Sequence, residues 1–78
     1  MSLSGLVSTI ARALVDEPDV VEVNEIEDGN GSTLELRVAK ADIGKVIGKD
    51  GRTAQSIRAV LAAAAQKTGR RAHLDILD

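Results

Sequence analysis

Apolar residues recur along this chain with two periods, and they divide it into six segments. Leu3, Leu6, Val7, Ile10 and Leu14 fall at i, i+3, i+4, i+7 and i+11, the stripe of an amphipathic helix over residues 3–15. Ser2 or Ser4 can cap its start, and Pro18, after Asp16-Glu17, marks its end. Residues 20–27 alternate instead. Val21 and Val23 against polar neighbours predict a strand, with Ile26 out of phase and a bulge or strong twist expected there. Asp28-Gly29-Asn30-Gly31 reads as a hairpin turn. In residues 32–39, the clearest strand, Leu34, Leu36 and Val38 face one way and Thr33, Glu35 and Arg37 the other. Lys40-Ala41-Asp42 opens a short helix over about 41–47 that stops at Gly48. A longer helix over about 52–67 carries a core stripe of Ala54, Ile57, Val60, Leu61, Ala64 and Thr68. Its four consecutive alanines, Ala62 to Ala65, favour helix and let another backbone come close. Gly69 fits the helix stop, and Ala72, Leu74 and Ile76 alternate with His73 and Asp75 in a last strand over 72–77.

The predicted order is therefore α-β-β-α-α-β, an α+β class. One hairpin and one returning strand make a three-stranded mixed sheet. The helices must pack on one face of it, because there is no second sheet to cover the apolar side. No repeat, linker or low-complexity stretch interrupts the 78 residues, so a single domain spanning 1–78 is expected.

The junction between the last two helices is chemically distinct. Ile43-Gly44-Lys45-Val46-Ile47-Gly48-Lys49-Asp50-Gly51-Arg52 holds three glycines and three cations in ten residues. Glycines let backbone N–H groups approach a ligand closely, and the turn opens a helix whose N-terminus carries roughly half a positive charge. With Lys45, Lys49 and Arg52 added, the stretch suits a phosphate. Arg58 is an outer cation, as readily solvated surface as a contact, and so is Lys45. Ile43 is either core or groove; Gly44 reads as a helix-packing glycine.

Composition narrows the chemistry. The chain has no cysteine and one histidine, His73, which excludes disulfides, thiolate metal sites and multi-histidine metal sites, and no cofactor is called for. No apolar run reaches the ~18 residues of a membrane span, and no signal-peptide pattern opens the chain; a cytoplasmic protein is expected. The absence of Phe, Tyr and Trp excludes nucleic-acid binders that stack bases on aromatic rings. The net charge of −2 hides an asymmetry: residues 1–39 hold two cations and eight carboxylates, residues 40–78 eight cations and four carboxylates. The glycine loop lies in the basic half, and local sign governs the steering of an anion. An enzyme is not expected. There is no activated nucleophile and no His/carboxylate set, and the loop is neither a Walker A sequence nor a dinucleotide fingerprint. Asp75 and Asp78 read as a solvated terminus.

The element order together with Val46-Ile47-Gly48-Lys49-Asp50-Gly51 resembles the KH domain in its type II arrangement, whose GXXG signature joins two helices. The resemblance covers nearly the whole chain. With Gly44-Lys45-Val46-Ile47-Gly48-Lys49, Arg52 and Ile57-Arg58, the sequence is similar to the bacterial stand-alone KH proteins of the KhpA family. That resemblance implies a loop clamping the backbone of single-stranded RNA, with single-stranded DNA the other candidate strand. Gly48 and Gly51 would permit close approach, Lys49 and Arg52 would meet phosphates beside Asp50, and Lys45 and Arg58 would be outer contacts. Ile43, Ile47 and Ala54 would line a groove for bases, with polar contacts from the strand end Arg37, Val38 and Ala39. It further implies an RNA chaperone, a homodimer or a heterodimer with a larger KH-containing protein, and a link to cell elongation and envelope (peptidoglycan) synthesis.

Two residues depart from the pattern. Asp50 either offsets Lys49 or caps the following helix. Ala54 stands where many KH domains carry a larger aliphatic residue, implying a shallower groove floor or a place where a partner packs. Two other readings compete: a helix-hairpin-helix binder of duplex DNA, from Ile47 to Ala54, and a protein-interaction module using the Ala62–Ala65 surface.

Overall fold

The computed structural model describes residues 2–78. Helix α1 (Leu3–Leu14) is capped by Ser2, whose hydroxyl accepts the Gly5 amide at 2.9 Å. A 3₁₀ turn over Pro18–Val20 delays strand β1 to Glu22–Glu27, two residues later than the alternation suggests, because proline fixes a helical φ at the turn's start. Strand β2 (Gly31–Arg37) follows the hairpin. A second 3₁₀ turn, Lys40–Asp42, leads into the five-residue helix α2 (Ile43–Ile47), then come α3 (Arg52–Gln66) and β3 (Arg71–Ile76). The sheet order is β1-β2-β3, with β1 antiparallel and β3 parallel to β2, so the sheet is mixed and β2 is central.

The helices cover one face. Leu34 and Leu36 of β2, Leu74 of β3, Val7 and Ala11 of α1, Val46 of α2, and Ile57 and Leu61 of α3 form the buried centre. A side chain's exact angle about a helix decides which stripe members reach it. On α3 the buried line is Ala54, Ile57, Leu61 and Ala65; Val60, 47% exposed, and Ala64 lie on the flank, and Thr68 is exposed. On α1, Ala11 takes a buried place while Leu14 stays exposed. Thr68 serves the helix end: its hydroxyl donates to the Ala65 carbonyl at 2.8 Å, and Gly69, at φ 72°, ends α3 as expected.

No bulge forms at Ile26. The β1–β2 register runs unbroken from Glu22↔Arg37 to Glu27↔Ser32, and Ile26 simply faces the uncovered side of the sheet. The inward slot beside it belongs to Glu25, whose carboxylate accepts the hydroxyl of buried Ser32 at 2.8 Å. Gly31 is a strand residue as well as a turn residue. It pairs with Arg71, and a Cβ there would collide with the Arg71 carbonyl.

Candidate nucleic-acid interface

The turn between α2 and α3 takes a conformation only its own residues support. Gly48 has φ 78°, ψ 172°, a region essentially reserved for glycine. Asp50 (φ 56°) and Gly51 (φ 73°) are left-handed; aspartate tolerates this better than most residues. The Gly48 amide donates to the Gly44 carbonyl at 2.9 Å, closing α2, and the Gly51 amide donates to the Gly48 carbonyl at 3.1 Å, tightening the turn.

The two glycines of the motif do different work. A Cβ on Gly48 would run into the side chain of Thr53, with the Thr53 amide nitrogen 2.9 Å away; a Cβ on Gly51 would meet nothing within 4 Å. Gly48 therefore lets the chain fold tightly against α3, whereas Gly51 keeps open space in front of the loop. Gly44 also has open space and is exposed, so it is not the packing glycine its position suggests.

The first turn of α3 is free of side-chain caps. Its N-cap is Gly51, so Asp50 does not cap the helix. The Gly51 and Arg52 amides bond within the turn, to the Gly48 and Lys49 carbonyls, so what this end offers an external anion is the positive pole of the helix with no side chain in front of it. Lys49, Asp50 and Arg52 are exposed. Among the described residues, the recorded ion pairs leave Lys49, Arg52 and Arg58 unengaged. The Arg58 guanidinium leans toward β3, 3.5 Å from the Leu74 carbonyl.

Lys45 differs. Its ammonium lies 3.1 Å from the Asp16 carboxylate and 3.6 Å from that of Asp42. The hydrogen bond to Asp16, then the charge of Asp16 and that of Asp42, hold its pKa above the ordinary lysine value.

The proposed base groove is only partly assembled. Ile47, 38% exposed, stands at the end of α2 beside the loop, and Ile43 is half-buried against the core. Ala54 is 3% exposed and Val38 is buried, so neither offers surface to a base. Ala39 is half-buried at the strand exit. Arg37 is exposed and borders a recess with Glu22, Asn24, Glu35 and Leu77, on the sheet face away from the helices. Strand alternation explains this: with Leu36 and Val38 in the core, Arg37 must face the other way. Sequence reasoning missed Asp42, a buried carboxylate at the head of α2; nothing local marks it, since its backbone partner is the amide of Glu17. No group of three or more metal-ligating side chains is found among the described residues.

A mixed three-stranded sheet in α-β-β-α-α-β order, with a GXXG turn between its last two helices, defines a KH domain of the type II arrangement. Residues 4–76 match the family described as KhpA/KhpB, KH domain. The RNA-binding protein KhpA of Caldanaerobacter subterraneus is 56% identical over 72 residues, covering 92% of this chain and 96% of that protein. The RNA-binding protein KhpA of Halalkalibacterium halodurans is 56% identical over 73 residues, covering 94% and 96%. Among solved structures, Aquifex aeolicus Era superposes with a TM-score of 0.69 over 95% of this chain, which corresponds to 29% of that one, at 21% identity; this speaks to the fold alone. The chain belongs to the KhpA/KhpB KH-domain family.

Proposed function

We propose that this protein binds single-stranded RNA, gripping its backbone with the loop Gly48-Lys49-Asp50-Gly51-Arg52, and that it is a binding protein and not an enzyme. One observation carries this reading: a left-handed glycine turn heads a fifteen-residue helix that has no side-chain cap, flanked by two exposed cations outside the recorded ion pairs. No side chain caps this helix end against an approaching anion, although the Gly51 and Arg52 amides already donate to the Gly48 and Lys49 carbonyls within the turn. The relatives named as RNA-binding proteins support RNA as the polymer. Ile47 and Ile43 give the neighbouring apolar surface, so bases are held by aliphatic contact and hydrogen bonds in the absence of any aromatic ring. The family resemblance supports an RNA chaperone of the cytoplasm connected with cell elongation and envelope synthesis.

Titration of labelled single-stranded RNA, matched single-stranded DNA and duplex DNA at two salt concentrations tests the reading. Single strands should bind more tightly than duplex. Lys49→Asp should weaken binding to every sequence and flatten the salt dependence by about 0.7 in log–log slope for each lost phosphate contact. Equal or tighter binding of duplex would favour the helix-hairpin-helix reading.

A second reading concerns partners. Leu3 and Leu6 of α1 and Val60, Ala63 and Ala64 of α3 line an apolar groove, with Glu27 and Arg70 among its polar borders. This supports a homodimer, or pairing with a larger KH-containing protein, through the α1/α3 flank. Sedimentation equilibrium should give about twice the monomer mass; a strict monomer at high concentration would remove the homodimer.

A further inference from the structure

Helix α2 cannot hold itself in place. At five residues it is far below the length at which an isolated helix is stable, so its axis is set by what ties it down. Val46, fully buried, is one fixed point. The second is Asp42, 2% exposed. Although Asp42 stands at the N-cap of α2, its carboxylate makes no cap to α2. One oxygen instead accepts the amide of Glu17, from 25 residues earlier, at 3.1 Å, and the other faces the Lys45 ammonium at 3.6 Å. Lys45 in turn reaches Asp16 at 3.1 Å. Both links join the segment that follows α1 to the head of α2.

We infer that Asp42 is a positioning residue for the glycine loop, and that Lys45 acts through this clamp and not as a phosphate contact. The inference rests on the proposed RNA-binding reading. Two anchored points fix the direction of a rigid rod, and the far end of this rod is Gly48, whose amide closes α2 on the Gly44 carbonyl. Fixing the head of α2 thus fixes where the loop presents its amides. For Lys45 to meet a phosphate, it would have to leave two carboxylates, one of them buried and dependent on it. Lys49 and Arg52 are outside the recorded ion pairs and give up nothing.

The test compares Lys45→Met, Asp42→Asn and Lys49→Met, using a labelled ten-nucleotide random-sequence RNA across a salt series and amide hydrogen exchange of the RNA-free protein. If the clamp keeps the loop competent, losing it lowers the competent fraction, and Lys45→Met and Asp42→Asn each bind about tenfold more weakly. Their salt slope should equal that of the unaltered protein, whereas Lys49→Met flattens it by about 0.7. In the free protein, Asp42→Asn should speed exchange at Glu17 and at Gly48. A Lys45→Met slope as flat as that of Lys49→Met, or unchanged Gly48 exchange in Asp42→Asn, overturns the inference. Should Asp42→Asn not fold, Asp16→Asn replaces it, since Asp16 is exposed. Faster Gly48 exchange and a few-fold weaker binding at unchanged slope are then expected. Tighter binding with a steeper slope would mean that Asp16 merely holds back a phosphate contact, and would overturn it. If the unaltered protein binds no single-stranded RNA, the proposed function fails, while the exchange measurement still decides whether the clamp positions the loop.

Discussion

Replacing each motif glycine by alanine separates folding from binding. At Gly48 two costs combine. The φ 78°, ψ 172° conformation costs a non-glycine residue about 1–3 kcal/mol. The new methyl carbon would also sit 2.6 Å from Thr53 Cβ and 2.9 Å from its amide nitrogen, so α3 must shift, an overpacking penalty of about 1–3 kcal/mol. Together these come to about 2–6 kcal/mol, against a total stability of about 4–12 kcal/mol for a chain of this length. At Gly51 the left-handed conformation costs about 1–2 kcal/mol, and the added methyl meets nothing. Part of that cost is offset by about 0.4–1 kcal/mol, because alanine restricts the unfolded chain more than glycine does. Urea denaturation followed by circular dichroism reads both losses. With the same offset applied to both, Gly48→Ala should lose about 1–5.6 kcal/mol and Gly51→Ala about 0–1.6 kcal/mol, so the loss at Gly48 should be the larger; Gly51→Ala, still folded, should bind RNA poorly because its methyl fills the open space in front of the loop. Adding Thr53→Gly to Gly48→Ala should recover part of the loss, giving a coupling of about 0.5–3 kcal/mol. Equal losses at the two glycines, or no coupling to Thr53, would refute the assignment of Gly48 to packing against α3.

Three further outcomes can be checked. Asp50→Asn keeps a residue that tolerates a left-handed φ but removes the negative charge beside Lys49; single-stranded RNA should bind more tightly, by up to about fivefold, as an exposed charge contributes about 0.2–1 kcal/mol. Gly31→Ala should destabilise the fold by about 1–3 kcal/mol in urea, since its methyl would strike the Arg71 backbone and push β3 from β2. Asp28 accepts the amides of Asn30 at 2.8 Å and Gly31 at 3.0 Å, and these bonds hold its pKa below the ordinary 3.8. A depressed carboxylate pKa contributes stability above the unfolded value and loses it as pH falls through the folded one. The gap in urea midpoint between the unaltered protein and Asp28→Ala should therefore be constant near neutrality and shrink only below about pH 3.8.

Much of this was legible because it is local. The two periods, the Asp28–Gly31 turn, the Gly69 stop and the GXXG junction each depend on residues within a few positions of one another, and each stands where it was expected. What escaped was set by neighbours distant in sequence. Val60 fits the helical stripe of α3, yet the stripe does not say which flank α1 and the sheet will cover. Asp42 reads as an ordinary helix start, and its burial follows from an amide 25 residues away. Lys45 reads as a free cation of the loop until Asp16, in the segment after α1, is found beside it. The family resemblance implies polar contacts to the groove from the strand end Arg37 to Ala39, but the pleat sends Arg37 to one face and Val38 to the other.

The partner flank and the loop need not compete. Helix α3 is fifteen residues long, about 22 Å at 1.5 Å per residue. Its N-terminal end carries Gly51 and Arg52; the residues lining the apolar groove, Val60, Ala63, Ala64, Lys67 and Thr68, all lie in its C-terminal half or just beyond. A second chain that touched only these residues would leave the loop cations uncovered. It would add a second loop in the same particle, so one RNA strand could bridge both and gain avidity set by the spacing of the loops. The acidic first half of the chain fits the same division. Asp16, joined by Asp42 from the second half, engages Lys45, Glu25 engages Ser32 and Glu27 engages Arg70, while Lys49 and Arg52 at the loop have no carboxylate partner in these ion pairs. A net charge of −2 is no obstacle to the proposed binding, because an RNA strand held at the loop would meet the exposed ammonium and guanidinium groups of Lys49 and Arg52 well inside a Debye length of about 8 Å, and most of the carboxylates lie on other segments.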